Sequence, residues 1–373
     1  MPRRPFKSTT LHQLDDHYRS SEVRRLAFSA KDPDEAAKTA DEARAWQRRL
    51  RRRVLECLGK PRPRPCELDP VVTSTEETPD FVRRHVVIRA EPDVDVPLYV
   101  LVPKRAEPPY RPVIAVHGHG TWGHHPVAGI YDAASPAQLE MVRVHNYDYG
   151  AQLARAGFLV FCPCSRAHGD RMEPDDREQQ AREPENQYLS SCEQVSKAMI
   201  LLGRSLVGRS LVGARVFDIG RVIDYIKTQP EPNTGRIGMV GLSGGGTVTT
   251  FAAATDRRIA AAVIQGYMCT FRDSTLAMPH CLCNHIPGLL RWAEMHDVGG
   301  LIAPRPLLVV SGTKDPIFPV NAVRTACREL RRIYKTLSVA DALGAPDRFD
   351  ADIFEGEHRW EGRKVVPFLD KWL

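Results

Sequence analysis

Ser243 stands in Gly241-Leu242-Ser243-Gly244-Gly245, directly after the apolar run Ile237-Gly238-Met239-Val240 and before the small, apolar stretch Thr247 to Ala254. A strand that turns straight into a helix around G-x-S-x-G lifts the serine hydroxyl clear of the sheet. It also aims the first helical N–H groups at whatever the serine attacks. Glycines flank the serine because a Cβ there would meet neighbouring backbone. A hydroxyl is a weak nucleophile, so this chemistry needs a histidine to take its proton and a carboxylate to orient that histidine.

On such a scaffold the acid and then the histidine should follow the serine, each just past a strand. Asp315 lies in Ser311-Gly312-Thr313-Lys314-Asp315-Pro316, immediately after the apolar run 306–310. Its rivals Asp341, Asp347, Asp350 and Asp352 do not occupy a glycine-containing turn after an apolar strand. His358 lies in Glu355-Gly356-Glu357-His358-Arg359-Trp360, between the last expected strand (349–354) and the last expected helix (362–373). The competing readings are a turn aspartate capping a helix and a surface-loop histidine. Two N–H donors are needed for the oxyanion. Gly244, next to the serine, supplies one, and His119 in the loop His117-Gly118-His119-Gly120 supplies the other.

Metal chemistry is the rival for the same loop, since His117, His119, His124 and His125 include an H-x-H step. The Asp-His pair that usually follows such a step is replaced by Thr121 and Trp122. His280-Cys281-Leu282-Cys283-Asn284-His285 has C-x-C rather than C-x-x-C spacing, and its thiols read as core residues. Neither a metal nor a cofactor is therefore expected.

Positioning three distant side chains requires a scaffold, and its elements are legible. Runs 81–88 and 96–102 predict an antiparallel pair, and 112–116 a strand buried on both faces. Strands at 158–162, 260–264 and 306–310 then alternate with helices at 147–156, 216–228 and 321–334. This rhythm predicts an α/β fold, a mostly parallel sheet flanked by helices. Before it, Ala43, Trp46, Leu50 and Val54 recur at helical steps in a helix expected from Pro33 to about 59, ended by Pro61, Pro63 and Pro65. We divide the chain into an N-terminal helical extension (1–65) and a catalytic domain (66–373). Residues 268–303 are read as a lid and Ala167–Gln187 as an exposed excursion. The tandem copy of Gly-Arg-Ser-Leu-Val at 203–212 predicts a loop or bulge.

Composition narrows the class further. The chain has 373 residues, nine cysteines at irregular spacing and a net charge of +6. No apolar run is long enough to span a bilayer and the basic start lacks a secretory core, so a cytoplasmic protein is expected. The basic run 48–53 shares its helix with Asp34, Glu35, Asp41 and Glu42 and reads as an ion-paired face, not a nucleic-acid patch. A homo-oligomer joined through the first helices is compatible with this composition.

Together, the His-Gly-His-Gly loop, the Gly-Leu-Ser-Gly-Gly-Gly elbow, the Gly-Thr-Lys-Asp-Pro-Ile-Phe-Pro turn and the Glu-Gly-Glu-His loop resemble α/β-hydrolase serine esterases. The likeness is to the bacterial branch near the acetyl xylan esterases and dienelactone hydrolases, over about residues 80 to 373. It implies Ser243 as nucleophile, Asp315 as acid, His358 as base, and His119 and Gly244 as oxyanion donors. Where relatives often carry Asp-x-Arg-Gly, this chain has Cys164-Ser165-Arg166-Ala167-His168-Gly169-Asp170. The expected activity is hydrolysis of short-chain carboxylic esters, acetyl among them, with a small-molecule ester as substrate. The alternatives are a prolyl-oligopeptidase-like peptidase and a catalytically silent binding protein on the same fold.

Overall fold

The computed structural model describes residues 26–28, 39–59, 64–131, 135–184, 191–201, 208–338 and 348–373. Among the described residues nine strands form one sheet: β1 (Val71–Glu77), β2 (Phe81–Glu91), β3 (Val94–Pro103), β4 (Pro112–Val116), β5 (Leu159–Pro163), β6 (Ile237–Leu242), β7 (Ile259–Gln265), β8 (Leu307–Gly312) and β9 (Phe349–Phe354). Their order across the sheet is β1-β2-β3-β5-β4-β6-β7-β8-β9. The first four in that order pair antiparallel and the rest parallel. This is the mostly parallel, helix-flanked α/β sheet that the alternating pattern predicts, and it agrees with the fold that the α/β-hydrolase resemblance implies.

Side chains of the central strands alternate between two cores, as the two-residue period of a strand demands. Ile114, Val116, Met239, Ile264 and Val309 face one layer, and Val113, Ala115, Val240, Val263 and Val310 the other. The first layer is built by α1 (Ala40–Leu58), with α6 (Leu211–Thr228), α7 (Gly244–Thr255) and α9 (Val320–Ser338); the second by α3 (Tyr149–Arg155) and α10 (Val365–Trp372). Shorter helices α2 (Pro136–His145), α4 (Pro174–Arg182), α5 (Ser191–Ala198) and α8 (Met295–Gly300) occupy the connections. No described helix is long and apolar enough to cross a membrane.

Helix α1 starts later than expected. Thr39 is extended and its hydroxyl accepts from the Glu42 N–H, while the Glu42 carboxylate accepts from the Thr39 N–H. This capping box opens the helix at Ala40; Pro33, Asp34 and Glu35 lie outside the described residues. The helix is also no detached appendage. Trp46, Leu50 and Val54 enter the same core as the sheet, and the Gln47 side-chain amide donates to Gly300 and Ala303 carbonyls at 2.8 and 2.7 Å. Arg51, read as solvated, instead donates to the Ala254 carbonyl in the last turn of α7 and to the Leu301 carbonyl. Burial, then the charges of Arg257 and Arg305, bring it down to about 10.

The second copy of the tandem repeat is an element junction. Arg209 bridges to Gly59, Ser210 caps α6 and Leu211 begins that helix. The first copy, 203–207, lies outside the described residues.

Chain direction around β4 sets the site. β5 lies on one side of it and β6 on the other, so the connections from β4 and β6 leave the sheet at a point where the strand order reverses. Open α/β sheets hold their crevice there, at the carboxyl ends of the strands.

Candidate active site

Ser243 sits between β6 and α7 with φ 58° and ψ −118°, a conformation that L-residues adopt only when their surroundings impose it. The imposition is visible at the adjoining glycines. A Cβ on Gly245 would lie 1.9 Å from the Val116 carbonyl oxygen, and one on Gly241 would lie 2.3 Å from that of Gly245. The sharp turn thus lets α7 rest against the end of β4. It leaves Ser243 half-buried on the wall of a cavity of about 770 Å³, shared with His119, Trp122, Tyr147, Phe318 and His358.

Asp315 and His358 meet. Nδ1 of His358 is 2.7 Å from Oδ2 of Asp315, while Oδ1 of Asp315 accepts the N–H groups of Ile317 and Phe318, both at 3.0 Å. The carboxylate is buried and held at both oxygens, so it can fix the ring's orientation and tautomer. Phe318 stacks on the imidazole with centroids 5.7 Å apart. Gly266, at φ 54°, lies against the ring; a Cβ there would be 2.9 Å from Cε1. With Nδ1 engaged, Nε2 is buried and has no hydrogen-bond partner, Ser243 included. The serine–histidine bond is therefore unmade in this state, although both residues line one cavity. Such bonds often tighten only around substrate.

His119 and Gly244 are brought together as well. A Cβ on Gly244 would lie 3.4 Å from the backbone nitrogen of His119. Gly244 is the first residue of α7, so its N–H has no acceptor within the helix. The neighbouring Gly118 N–H is already spent on the Tyr147 hydroxyl at 2.7 Å. The next N–H along the loop is that of His119, and Tyr147 holds the loop. Burial pushes the Tyr147 phenol well above its usual range, so it stays neutral.

The sequence model of the Abhydrolase family matches residues 27–331. The chain belongs to that family. It is 25% identical over 291 residues to YtaP of Bacillus subtilis (strain 168), itself assigned only provisionally as a hydrolase, covering 74% of this chain and 83% of that protein. A Bacteroides fragilis NCTC 9343 protein, provisionally assigned as an acetyl xylan esterase, superposes with a TM-score of 0.75 at 18% identity, over 100% of this chain and 97% of the other. A glucuronoyl esterase from Solibacter usitatus gives 0.66 at 17% identity, over 94% and 97%. These likenesses establish the hydrolase fold.

Several residues at this Abhydrolase site escape a reading of the sequence. The excursion expected at Ala167–Gln187 is largely exposed over 173–184 but not at its start, where Ala167, His168, Gly169 and Met172 are buried. Arg166 forms a bidentate pair with Asp218 on α6 (2.8 and 2.7 Å), and Arg171 reaches the same carboxylate at 2.8 Å. These pairs support the loop in which the expected Asp-x-Arg-Gly stretch is replaced. His145, at the end of α2, contacts the loop of His358 through its ring and its backbone.

The four histidines weighed as a single metal set are scattered by the fold. His117 accepts from the Ser165 N–H at Nε2 and donates from Nδ1 to the Gly118 carbonyl, and burial keeps it neutral. His124 and His125 turn towards Asp170, with His85 beside them. His119 points its ring elsewhere, at Cys283.

Proposed function

We propose that the protein is a serine carboxylesterase working through Ser243, His358 and Asp315. The observation that carries this reading is the Asp315–His358 hydrogen bond, which leaves the far ring nitrogen unpartnered beside a cavity lined by Ser243. Nε2 of His358 takes the proton of Ser243 as Oγ attacks the ester carbonyl. The N–H groups of His119 and Gly244 bind the oxyanion that forms. Collapse of this intermediate breaks the bond to the alcohol, which leaves with the proton held by His358. Water, deprotonated by the same nitrogen, then releases the acid and restores the serine. Asp315 keeps its charge throughout and stabilises the imidazolium.

Short acyl groups, acetyl among them, are assigned to the space at the oxyanion donors. The cavity exceeds what an acetyl group fills, so the alcohol portion of the ester takes most of it. A fluorophosphonate should label Ser243 once per chain, and Ser243→Ala should abolish both labelling and turnover. Nitrophenyl esters of increasing acyl length should show rates that fall with length. Hydrolysis that is flat across that series and survives in Ser243→Ala would remove the proposal.

A further inference from the structure

Beside the oxyanion loop, three distant stretches of chain converge on one point. Nε2 of His119, from the loop after β4, and the sulfurs of Cys192, from α5, and of Cys281 and Cys283, from the β7–β8 connection, all lie within 4.8 Å of one another. Cys192 and Cys281 are 3.3 Å apart at sulfur, and His119 Nε2 is 2.9 Å from the Cys283 sulfur. Three thiolates and one imidazole are a donor set that holds zinc tetrahedrally, and zinc–sulfur bonds of ~2.3 Å make the tetrahedron's edges about 3.8 Å. The two spacings just given are shorter than that edge and no pair exceeds 4.8 Å, so seating an ion at the centre requires the donors to move apart slightly by side-chain adjustment.

A second feature points the same way. Arg215 on α6 is buried, with 4% exposure. Its Nη2 donates to the Cys192 sulfur at 3.2 Å and the Arg166 carbonyl at 2.7 Å, and lies 3.2 Å from His168 Nδ1. Among the described residues no carboxylate pairs with it. A buried guanidinium needs a counter-charge. Three thiolates around a divalent ion carry one net negative charge, which this arginine balances; three neutral thiols would leave it unbalanced.

We propose that His119, Cys192, Cys281 and Cys283 bind a structural zinc ion. Four protein ligands close the coordination sphere, so the ion has no open position for water or substrate and acts as a clamp. It ties the loop carrying the His119 N–H to the segment above the cavity (Pro279–Asn284) and to α5. Arg215 acts on it from outside, by hydrogen-bonding one ligand sulfur. The proposal stands apart from the esterase reading, because metal content is measured without turnover.

The test uses the full chain purified anaerobically and reconstituted with zinc. Elemental analysis of the wild type should exceed that of Cys283→Ser by one zinc per chain; equal content would overturn the proposal. Because that variant could misfold, wild-type protein loaded with cobalt supplies a second measurement. A thiolate-to-cobalt charge-transfer band together with intense visible bands is the signature of a tetrahedral sulfur site. A weak octahedral spectrum without the charge-transfer band would overturn the proposal. So would a Cys192–Cys281 disulfide surviving in the anaerobic protein, since it would consume two of the ligands.

Discussion

Nδ1 of His145 donates to the backbone carbonyl of His358 across 2.8 Å, and the Trp360 N–H returns a bond to the His145 carbonyl, also at 2.8 Å. The two bonds clip the loop of the proposed base to the end of α2. His145→Ala removes the first and keeps the second. A loosened base lowers the fraction of encounters in reacting geometry, so kcat/KM for a nitrophenyl ester should fall about tenfold, or ~1.4 kcal/mol. Far-ultraviolet circular dichroism should be unchanged.

Asp315→Asn leaves a side chain that still accepts the Ile317 and Phe318 N–H groups. Its amide presents a donor to His358 Nδ1, which forces the proton to the wrong ring nitrogen. The expected loss is about 10⁴-fold in kcat. Steady-state kinetics at neutral pH would show it, with the thermal midpoint little altered.

Tyr147→Phe deletes the acceptor for the buried Gly118 N–H. An orphaned buried donor costs about 1–3 kcal/mol. Urea unfolding should shift to a lower midpoint at constant slope, and turnover should fall because the His119 N–H is no longer held in place.

Asp218 gives a pH-dependent outcome. Burial opposes its charge, but Arg171 and Arg166 outweigh this and hold the carboxyl below the 3.8 of an ordinary aspartate. Its folded form therefore binds a proton less readily than the unfolded chain does. The stabilisation is complete above pH 3.8 and is lost as pH falls towards the folded value. Asp218→Asn should cost about 3–5 kcal/mol at neutral pH by leaving Arg171 with no carboxylate and Arg166 with Glu91 alone. In parallel unfolding series, the gap between wild type and variant should be constant above pH 3.8 and shrink below it.

Strand ends were the most legible part of this chain. The loops of Ser243 and Asp315 each follow a short apolar run and that of His358 follows the strand Phe349–Phe354, in which two aspartates interrupt the apolar residues; a parallel sheet brings such ends to one edge. β1 was invisible because all seven of its residues are exposed, so no alternation marks it. The supporting groups were hidden for another reason. Tyr147 reaches Gly118, and Asp218 reaches Arg166 and Arg171, only through tertiary packing, and neither pairing leaves a periodic trace. Cys281 and Cys283 read as bland thiols because their partners, Cys192 and His119, are remote in the chain and carry no spacing signal. The start of α1 was misjudged where a signal existed: Thr39-x-x-Glu42 marks it better than Pro33 does.

Hydrogen is the sole substituent that fits between Gly266 and the imidazole above it. Position 266 is thus a silent lock: a methyl placed there would press on the ring and on Leu242, at a backbone conformation that strains any side chain, without removing a single polar group. A molecule disabled in that way would still recognise its ester, and could serve to capture it uncleaved.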